Sequence, residues 1–143
     1  MFIKVPAQQI PLLWEHIKFA VVSADRIDER DLQNYLGNLL SDLLSDKAQC
    51  FIRMDEQRML LAVVVTRVMK DEMTGYRSLL IQCLYSFKPV STDEWITNMN
   101  IVEAYAIKRG CKKVIAYSTN PRVFELAAEL GFNERYRCFI KEV

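Results

Sequence analysis

The stretch AIKRGCKKVIAYSTNPRVFELAAELGF, residues 106–132, decides the fold class of this chain. A helix is predicted to end at Gly110, because glycine is common where helices stop, and an apolar strand follows over residues 112–118. Asn120 can cap the next helix, which Gly131 ends. Another apolar run precedes the first of these helices. A strand–helix–strand unit of this length joins parallel neighbours, so we expect one parallel crossover here.

The rest of the chain predicts two helices followed by an antiparallel meander. Connections of a few polar residues join three apolar runs, and such short connections imply antiparallel pairing. The runs are almost continuously apolar, which is typical of a sheet covered on both faces. The predicted order is β-α-α-β-β-β-α-β-α-β, a mixed-sheet α/β (α+β) domain spanning residues 1–143. The strands are predicted at residues 2–5, 48–54, 59–69, 77–87, 112–118 and 135–143, and the helices begin near Pro6, Asp28, Ser91 and Asn120.

Composition limits the classes of function. The chain has 143 residues, of which 51% are hydrophobic, and this fits one globular domain. Its formal net charge is only +1, so we do not expect a nucleic-acid partner. No run of about 18 apolar residues and no signal peptide is evident, so we expect a cytoplasmic protein without a membrane span.

The cysteines and the single histidine argue against a metal site. No two of the four cysteines form a C-x-x-C pair, and His16 is the only histidine, so we expect no bound metal. Cys50, Cys83 and Cys138 lie in apolar runs and are interpreted as reduced core thiols.

The order of elements and the end of the chain resemble the GNAT superfamily of acyl-CoA N-acyltransferases. The resemblance is carried by Gly110, by the helix that Asn120 begins, and by the Leu-Gly-Phe that closes this helix at Phe132. It implies that acetyl-CoA or another acyl-CoA enters between two parallel strands that diverge, here those ending near Phe87 and Ser118. The acceptor would be a small-molecule or peptide amine. The implied cofactor-binding positions are Tyr85, Phe87, Val90, Ser91, Asp93, Trp95 and Asn120.

The phosphate-binding loop departs from the family pattern. That pattern is [QR]-x-x-G-x-[GA], and counting back from Gly110 places it on residues 90–95, where no glycine stands. Ser91 and Glu94 instead have the spacing of a capping box, in which each side chain accepts from the other residue's backbone N–H. Those donors lie where the resemblance would place a pyrophosphate.

Charge and bulk at this helix start also oppose a phosphate. Asp93 and Glu94 put carboxylates at the positive end of the helix dipole, and Trp95 replaces a small residue. Either the phosphates are held differently or these residues fill the site themselves. If the phosphates are held differently, the cations available for them are Lys88, Lys112 and Arg122.

Catalytic groups are not evident from the sequence. The family often uses a tyrosine four residues before the closing glycine as its general acid, and Ala127 stands there. The remaining candidates are Tyr85, Ser118 and His16, with Tyr117 and Tyr136 as further phenols and Asp55, Glu56 and Glu72 as loop carboxylates. Each also has an ordinary structural explanation, such as packing at a strand end or exposure to solvent.

Two functions therefore remain open. One is a divergent N-acyltransferase that passes an acyl group, acetyl in the simplest case, from acyl-CoA to an amine. The other is a catalytically inactive GNAT-like binding or structural protein, of phage or mobile-element origin, for which a homodimer through a free strand edge is an expectation.

Overall fold

The structure, a computed structural model, describes residues 1–25 and 27–143. Two helices precede a meander of three long strands, and a strand–helix–strand crossover and a last helix follow. The elements are β1 (Ile3–Lys4), α1 (Ile10–Ala24), α2 (Leu32–Leu44), β2 (Ala48–Met54), β3 (Leu60–Lys70), β4 (Arg77–Ser86), α3 (Thr92–Lys108), β5 (Cys111–Ala116) and α4 (Pro121–Glu129).

The five strands form one mixed sheet in the order β1-β2-β3-β4-β5. The pairs from β1 to β4 are antiparallel, and β4 pairs with β5 in parallel, which confirms the predicted meander and crossover. The crossover helix α3 ends before Gly110, whose φ of 74° is costly for residues with a Cβ. The edge strands of this sheet are β1 and β5, and each leaves backbone groups unpaired on its outer side among the residues described.

Both faces of the sheet are covered, as the apolar runs predict. Val63 and Val65 of β3 face one core with Ile17 and Val21 of α1. Val64, between them, faces the other core with side chains of α3 and α4. Alternation along one strand thus supplies two cores, because successive side chains point to opposite faces. No helix in the described part of the chain is long and apolar enough to cross a membrane.

Three predictions about the elements are wrong. The first α-helix begins at Ile10 rather than near Pro6, because a 3₁₀ turn over Ala7–Gln9 precedes it. The second helix begins at Leu32 rather than at Asp28, because residues 28–31 form a turn in which the Asp28 carboxylate accepts from the N–H of Arg30 at 3.1 Å. The closing strand at residues 135–143 is not formed, and α4 is the last regular element. The alternation of polar and apolar residues was present there, but a strand is stabilised only by a partner, and none is provided.

The C-terminal segment, residues 134–143, is therefore exposed. Tyr136 is 83% exposed and Phe139 is 90% exposed. Cys138 was predicted to be a core thiol, but it lies at the surface, so that prediction is wrong. Cys50 and Cys83 are buried as predicted, and burial raises the pKa of Cys50 to about 12. Glu142 lies 3.9 Å from Arg30, the one ion pair between this segment and the earlier part of the described chain.

Deleting residues 134–143 is expected to change the free energy of unfolding by less than about 1 kcal/mol, since these side chains bury little surface. Urea unfolding of the full and shortened chains measures the difference. Leu126→Ala is the control, because Leu126 is only 9% exposed and its truncation should cost about 2–5 kcal/mol. A loss of several kcal/mol on deletion would indicate that the segment forms the predicted strand, in one chain or between two.

Candidate functional site

A cleft opens where the two parallel strands stop pairing. The register of β4 and β5 ends at Ile81 opposite Ala116, while β4 continues to Ser86. Residues 82–86 therefore have no strand partner on the β5 side within the described residues. The cleft has a volume of about 220 Å³ and is walled by β4, the end of β5, the end of α1 and the inner face of α4. It thus presents backbone hydrogen-bonding groups to a ligand that lies along β4.

A β-bulge shapes the β4 wall of this cleft. Val65 of β3 pairs with Cys83 and Thr66 pairs with Ile81, so Gln82 is an extra residue on β4. A bulge bends its strand and redirects a side chain. Here it accompanies a polar side chain in the middle of an otherwise apolar strand, at the point where β4 and β5 separate.

Gln82 belongs to a chain of hydrogen bonds that ends on Asp25. The Arg67 guanidinium donates to Gln82 Oε1 at 3.4 Å, and Gln82 Nε2 donates to the Tyr35 hydroxyl at 2.6 Å. Tyr35 in turn donates to Asp25 Oδ2 at 3.2 Å. At the far end, Arg67 pairs with Asp42 at 2.7 Å. The three hydrogen bonds that link Arg67 to Asp25 through Gln82 and Tyr35 all have their donors on the side away from Asp25.

Asp25 is the only carboxylate among the described residues that line the cleft. It caps the C-terminal end of α1 with extended backbone, at φ −105° and ψ 139°. Burial raises the pKa of the Asp25 carboxyl above its ordinary value, and the hydrogen bond from Tyr35 partly offsets that rise. Asp25, Tyr35 and Gln82 were missed from the sequence. The signal was present in Tyr35, Arg67 and Gln82, which are polar residues placed inside apolar patterns.

The start of α3 forms the predicted capping box. Ser91 Oγ accepts from the N–H of Glu94 at 3.2 Å, and Glu94 Oε2 accepts from the N–H of Ser91 at 3.3 Å. The N–H groups of Thr92 and Asp93 have no acceptor among the described residues. Half of the donors at this helix end are thus occupied, and half are available to an anion.

Only part of the negative charge at this helix start is neutralised. Arg53 Nη2 lies 3.1 Å from Glu94 Oε1, and that hydrogen bond is the largest cause that lowers the pKa of Glu94. Within the described chain, no cation lies at ion-pair distance from Asp93. Asp93 is therefore the carboxylate that would repel a phosphate.

Comparison with solved structures identifies the fold. A putative acetyl transferase from Pyrococcus furiosus aligns over 100% of both chains with a TM-score of 0.66 at 20% identity. A predicted acetyltransferase with acetyl-CoA from Clostridium acetobutylicum aligns over 99% of this chain and 95% of its own, with a TM-score of 0.68 at 18% identity. The chain has the GNAT fold. An aminoglycoside 6'-N-acetyltransferase from Acinetobacter baumannii shares it, with a TM-score of 0.73 at 11% identity over 100% of this chain and 98% of its own. No family model and no curated protein matches the sequence.

The cleft of this GNAT fold brings together some of the residues singled out from the sequence. Tyr85, Ser118 and Asn120 line it, on its β4 wall, after β5 and at the start of α4. Asn120 Oδ1 accepts from the N–H of Arg122 at 3.0 Å, so the side chain caps α4 as predicted. Ala127 also lines the cleft, at the position where the family often carries a tyrosine.

Two of the proposed cofactor-binding residues face the core instead. Val90 is 7% exposed and Trp95 is 9% exposed, and the Trp95 indole packs on Phe2 with ring centroids 5.9 Å apart. The expectation that the bulk of Trp95 would obstruct the phosphate position is therefore wrong. Only the backbone of these two residues remains available to a ligand.

Most of the other candidates lie outside the cleft. His16 and Phe87 contact each other beside Phe19, with the His16 and Phe87 rings 6.4 Å apart. Tyr136, Glu56 and Glu72 are exposed, and Tyr117 lines the cleft but is 71% exposed. No three His, Cys, Asp or Glu side chains of the described residues are grouped so that they could hold a metal ion.

Of the three candidate phosphate-binding cations, two contact other side chains and one lies near the cleft. Lys88 pairs with Asp55 at 3.4 Å. Lys112 packs over the Tyr76 ring, near the start of β5 and away from the cleft at its end. Arg122 lies in the first turn of α4, two residues after the cleft residue Asn120, which makes it the best placed of the three.

Proposed function

We propose that this chain is an acyl-CoA-dependent N-acyltransferase that uses acetyl-CoA. The observation that carries the proposal is the end of β4–β5 pairing at Ile81 and Ala116, which leaves the β4 edge free inside a cleft. A pantetheine arm carries amide groups, and the free backbone of residues 82–86 can pair with them as a neighbouring strand would. Acetyltransferases of the same fold support this choice.

The start of α3 fits the phosphates of acetyl-CoA in part. The free N–H groups of Thr92 and Asp93 lie at the positive end of the α3 dipole, which favours an anion. The Asp93 side chain opposes it. Arg122 would supply positive charge from α4. The free thiols in the described structure support a reducing, cytoplasmic setting.

Calorimetry with acetyl-CoA and with CoA tests the proposal, and we expect saturable binding at submillimolar concentration. Asp93→Asn should tighten binding severalfold, because one unit charge close to a phosphate costs on the order of 1 kcal/mol near a solvated surface. Asp71→Asn is the matched control, since Asp71 lies in the turn between β3 and β4, away from the cleft. The gain from Asp93→Asn should shrink at high salt.

The alternative is an inactive GNAT-like binding protein, and the capping box favours it. Ser91 and Glu94 occupy two donors that a pyrophosphate would otherwise use. If neither acetyl-CoA nor CoA binds at millimolar concentration, and Asp93→Asn does not restore binding, the acyltransferase proposal fails. The fold then serves as a binding or structural domain.

A further inference from the structure

The hydrogen-bond chain that ends on Asp25 has a chemical use within the proposed transfer reaction. We infer that Asp25 is the general base that takes the proton from the acceptor amine, and that Tyr35 and Gln82 position its carboxylate. This inference rests on the proposed function, because it assigns a role within the same cleft. The acceptor it implies is an alkylamine, whose nitrogen carries an extra proton at neutral pH and must lose it before attack.

The direction of the hydrogen bonds supports a base rather than an acid. Tyr35 donates to Asp25 Oδ2 at 3.2 Å, and a carboxylate accepts such a bond only through an oxygen lone pair. The Tyr35 oxygen accepts from Gln82 Nε2 at 2.6 Å, which fixes the hydroxyl proton toward Asp25. Arg67 holds the Gln82 amide in this orientation at 3.4 Å. Successive bonds of one direction strengthen each other, so the carboxylate is held with one oxygen engaged.

The other groups around the cleft are poor bases. Burial strongly raises the pKa of the Cys83 thiol, and the nearby Asp25 charge adds to that rise, so Cys83 stays protonated. Tyr85 and Tyr117 offer phenol hydroxyls and no carboxylate. The cleft-lining residues of α4, such as Leu126 and Ala127, and its cap Asn120 carry no titratable group. Asp25 is thus the one lining residue of the described chain that is both basic and negatively charged.

The proposed step balances as follows. The Asp25 carboxylate accepts one proton from the ammonium nitrogen, which leaves a neutral amine with a free electron pair. That pair forms the C–N bond to the thioester carbonyl carbon, and the C–S electrons leave with sulfur as the thiolate. The second nitrogen proton passes through water to the thiolate and gives the CoA thiol. Asp25 then releases its proton to solvent, so one proton is produced per turnover.

Partial desolvation suits Asp25 to this role. Since burial raises the pKa of Asp25, its carboxyl is a stronger base than an exposed aspartate, and the Tyr35 hydrogen bond still favours its charged form. The facing groups are Tyr35 from α2, Cys83 and Tyr85 from β4, and Tyr117 after β5. Burial raises the pKa of both Tyr35 and Cys83, so the loss of activity at acidic pH should report protonation of Asp25.

Two amines of similar shape test the assignment. With acetyl-CoA, 2-phenylethylamine is protonated at neutral pH, whereas aniline is not and needs no base before attack. Asp25→Asn keeps an oxygen that accepts from Tyr35, so the fold is preserved. We expect it to lower kcat/KM for 2-phenylethylamine at least about tenfold, to change that for aniline less than about threefold, and to leave the Kd of acetyl-CoA unchanged.

Tyr35→Phe tests the positioning role. Without the hydroxyl the Asp25 charge loses a hydrogen bond, so the acidic limb of the kcat/KM profile should move to higher pH. A structural defect would lower the whole profile without moving the limb. Asp31→Asn is the control, because it removes a charge from the same connection at an exposed position and should change neither readout.

The outcomes separate the two proposals. Failure of both the wild-type chain and Asp93→Asn to bind acetyl-CoA or CoA in calorimetry overturns the proposed function itself. Binding without acetylation of either amine overturns the role of Asp25. So do equal rates for Asp25→Asn and wild type with 2-phenylethylamine, or an unmoved acidic limb in Tyr35→Phe.

Discussion

Replacing Trp95 by alanine should lower the free energy of unfolding by about 3–5 kcal/mol. The side chain is 9% exposed, packs on Phe2, and shares a core cluster with Met99 and Val102. The change removes buried apolar surface and leaves a cavity between α3 and the sheet, and these two costs add. Urea or thermal unfolding measures the loss.

Trp95→Phe is the control, because it keeps a ring against Phe2 and should lose less than half as much stability. A loss below about 1 kcal/mol for Trp95→Ala would mean that the indole lies at the surface, where it would affect phosphate binding instead. Because Trp95 is buried, substituting it does not test phosphate binding directly. A glycine at position 95 would destabilise the domain, so Asp93→Asn is the informative variant there.

Ala127→Tyr should raise the rate of acetyl transfer by about tenfold to a hundredfold if the chain is an acyltransferase. Ala127 lines the cleft on α4, four residues before Gly131, where the family often carries the tyrosine that protonates the leaving thiolate. A phenol introduced there would protonate the thiolate as the C–S bond breaks. Thiol release from acetyl-CoA, measured with 2-phenylethylamine, reports the rate.

Ala127→Phe is the matched control, since it adds the same ring without the hydroxyl. We expect it to give no gain and to narrow the cleft. Equal rates for the Tyr and Phe variants would show that the hydroxyl transfers no proton, and that another group or water already does so. A lower acetyl-CoA affinity in both would indicate that Ala127 leaves room for the pantetheine arm.

Features set by neighbouring residues could be predicted from the sequence. The capping box of Ser91 and Glu94 and the Asn120 cap are present as expected, because each needs only residues within one helical turn. The meander and the parallel crossover also follow, since connection length limits strand direction. The alternation of residues 135–143 was misleading, because a strand requires a partner that local pattern does not supply.

Features of the site depended on distant contacts. Asp25 and Gln82 are far apart in the sequence, and only the packing of α1 and α2 on β4 brings them to one cleft. The β4 bulge at Gln82 depends on its pairing with β3. The direction of Trp95 depends on Phe2, near the opposite end of the chain.

The sequence by itself therefore determined the order of elements as far as α4, the caps of α3 and α4, and the resemblance to acyl-CoA N-acyltransferases, because periodicity, caps and glycines act over a few residues. Only the tertiary structure decided that the strands separate at Ile81, that Trp95 turns inward and that Asp25 faces the cleft. Burial and hydrogen-bond partners are properties of the packed chain. Under the proposed function, Asp93 would oppose the phosphates, as the sequence predicts, and Asp25, which the sequence did not single out, would act on the acceptor amine.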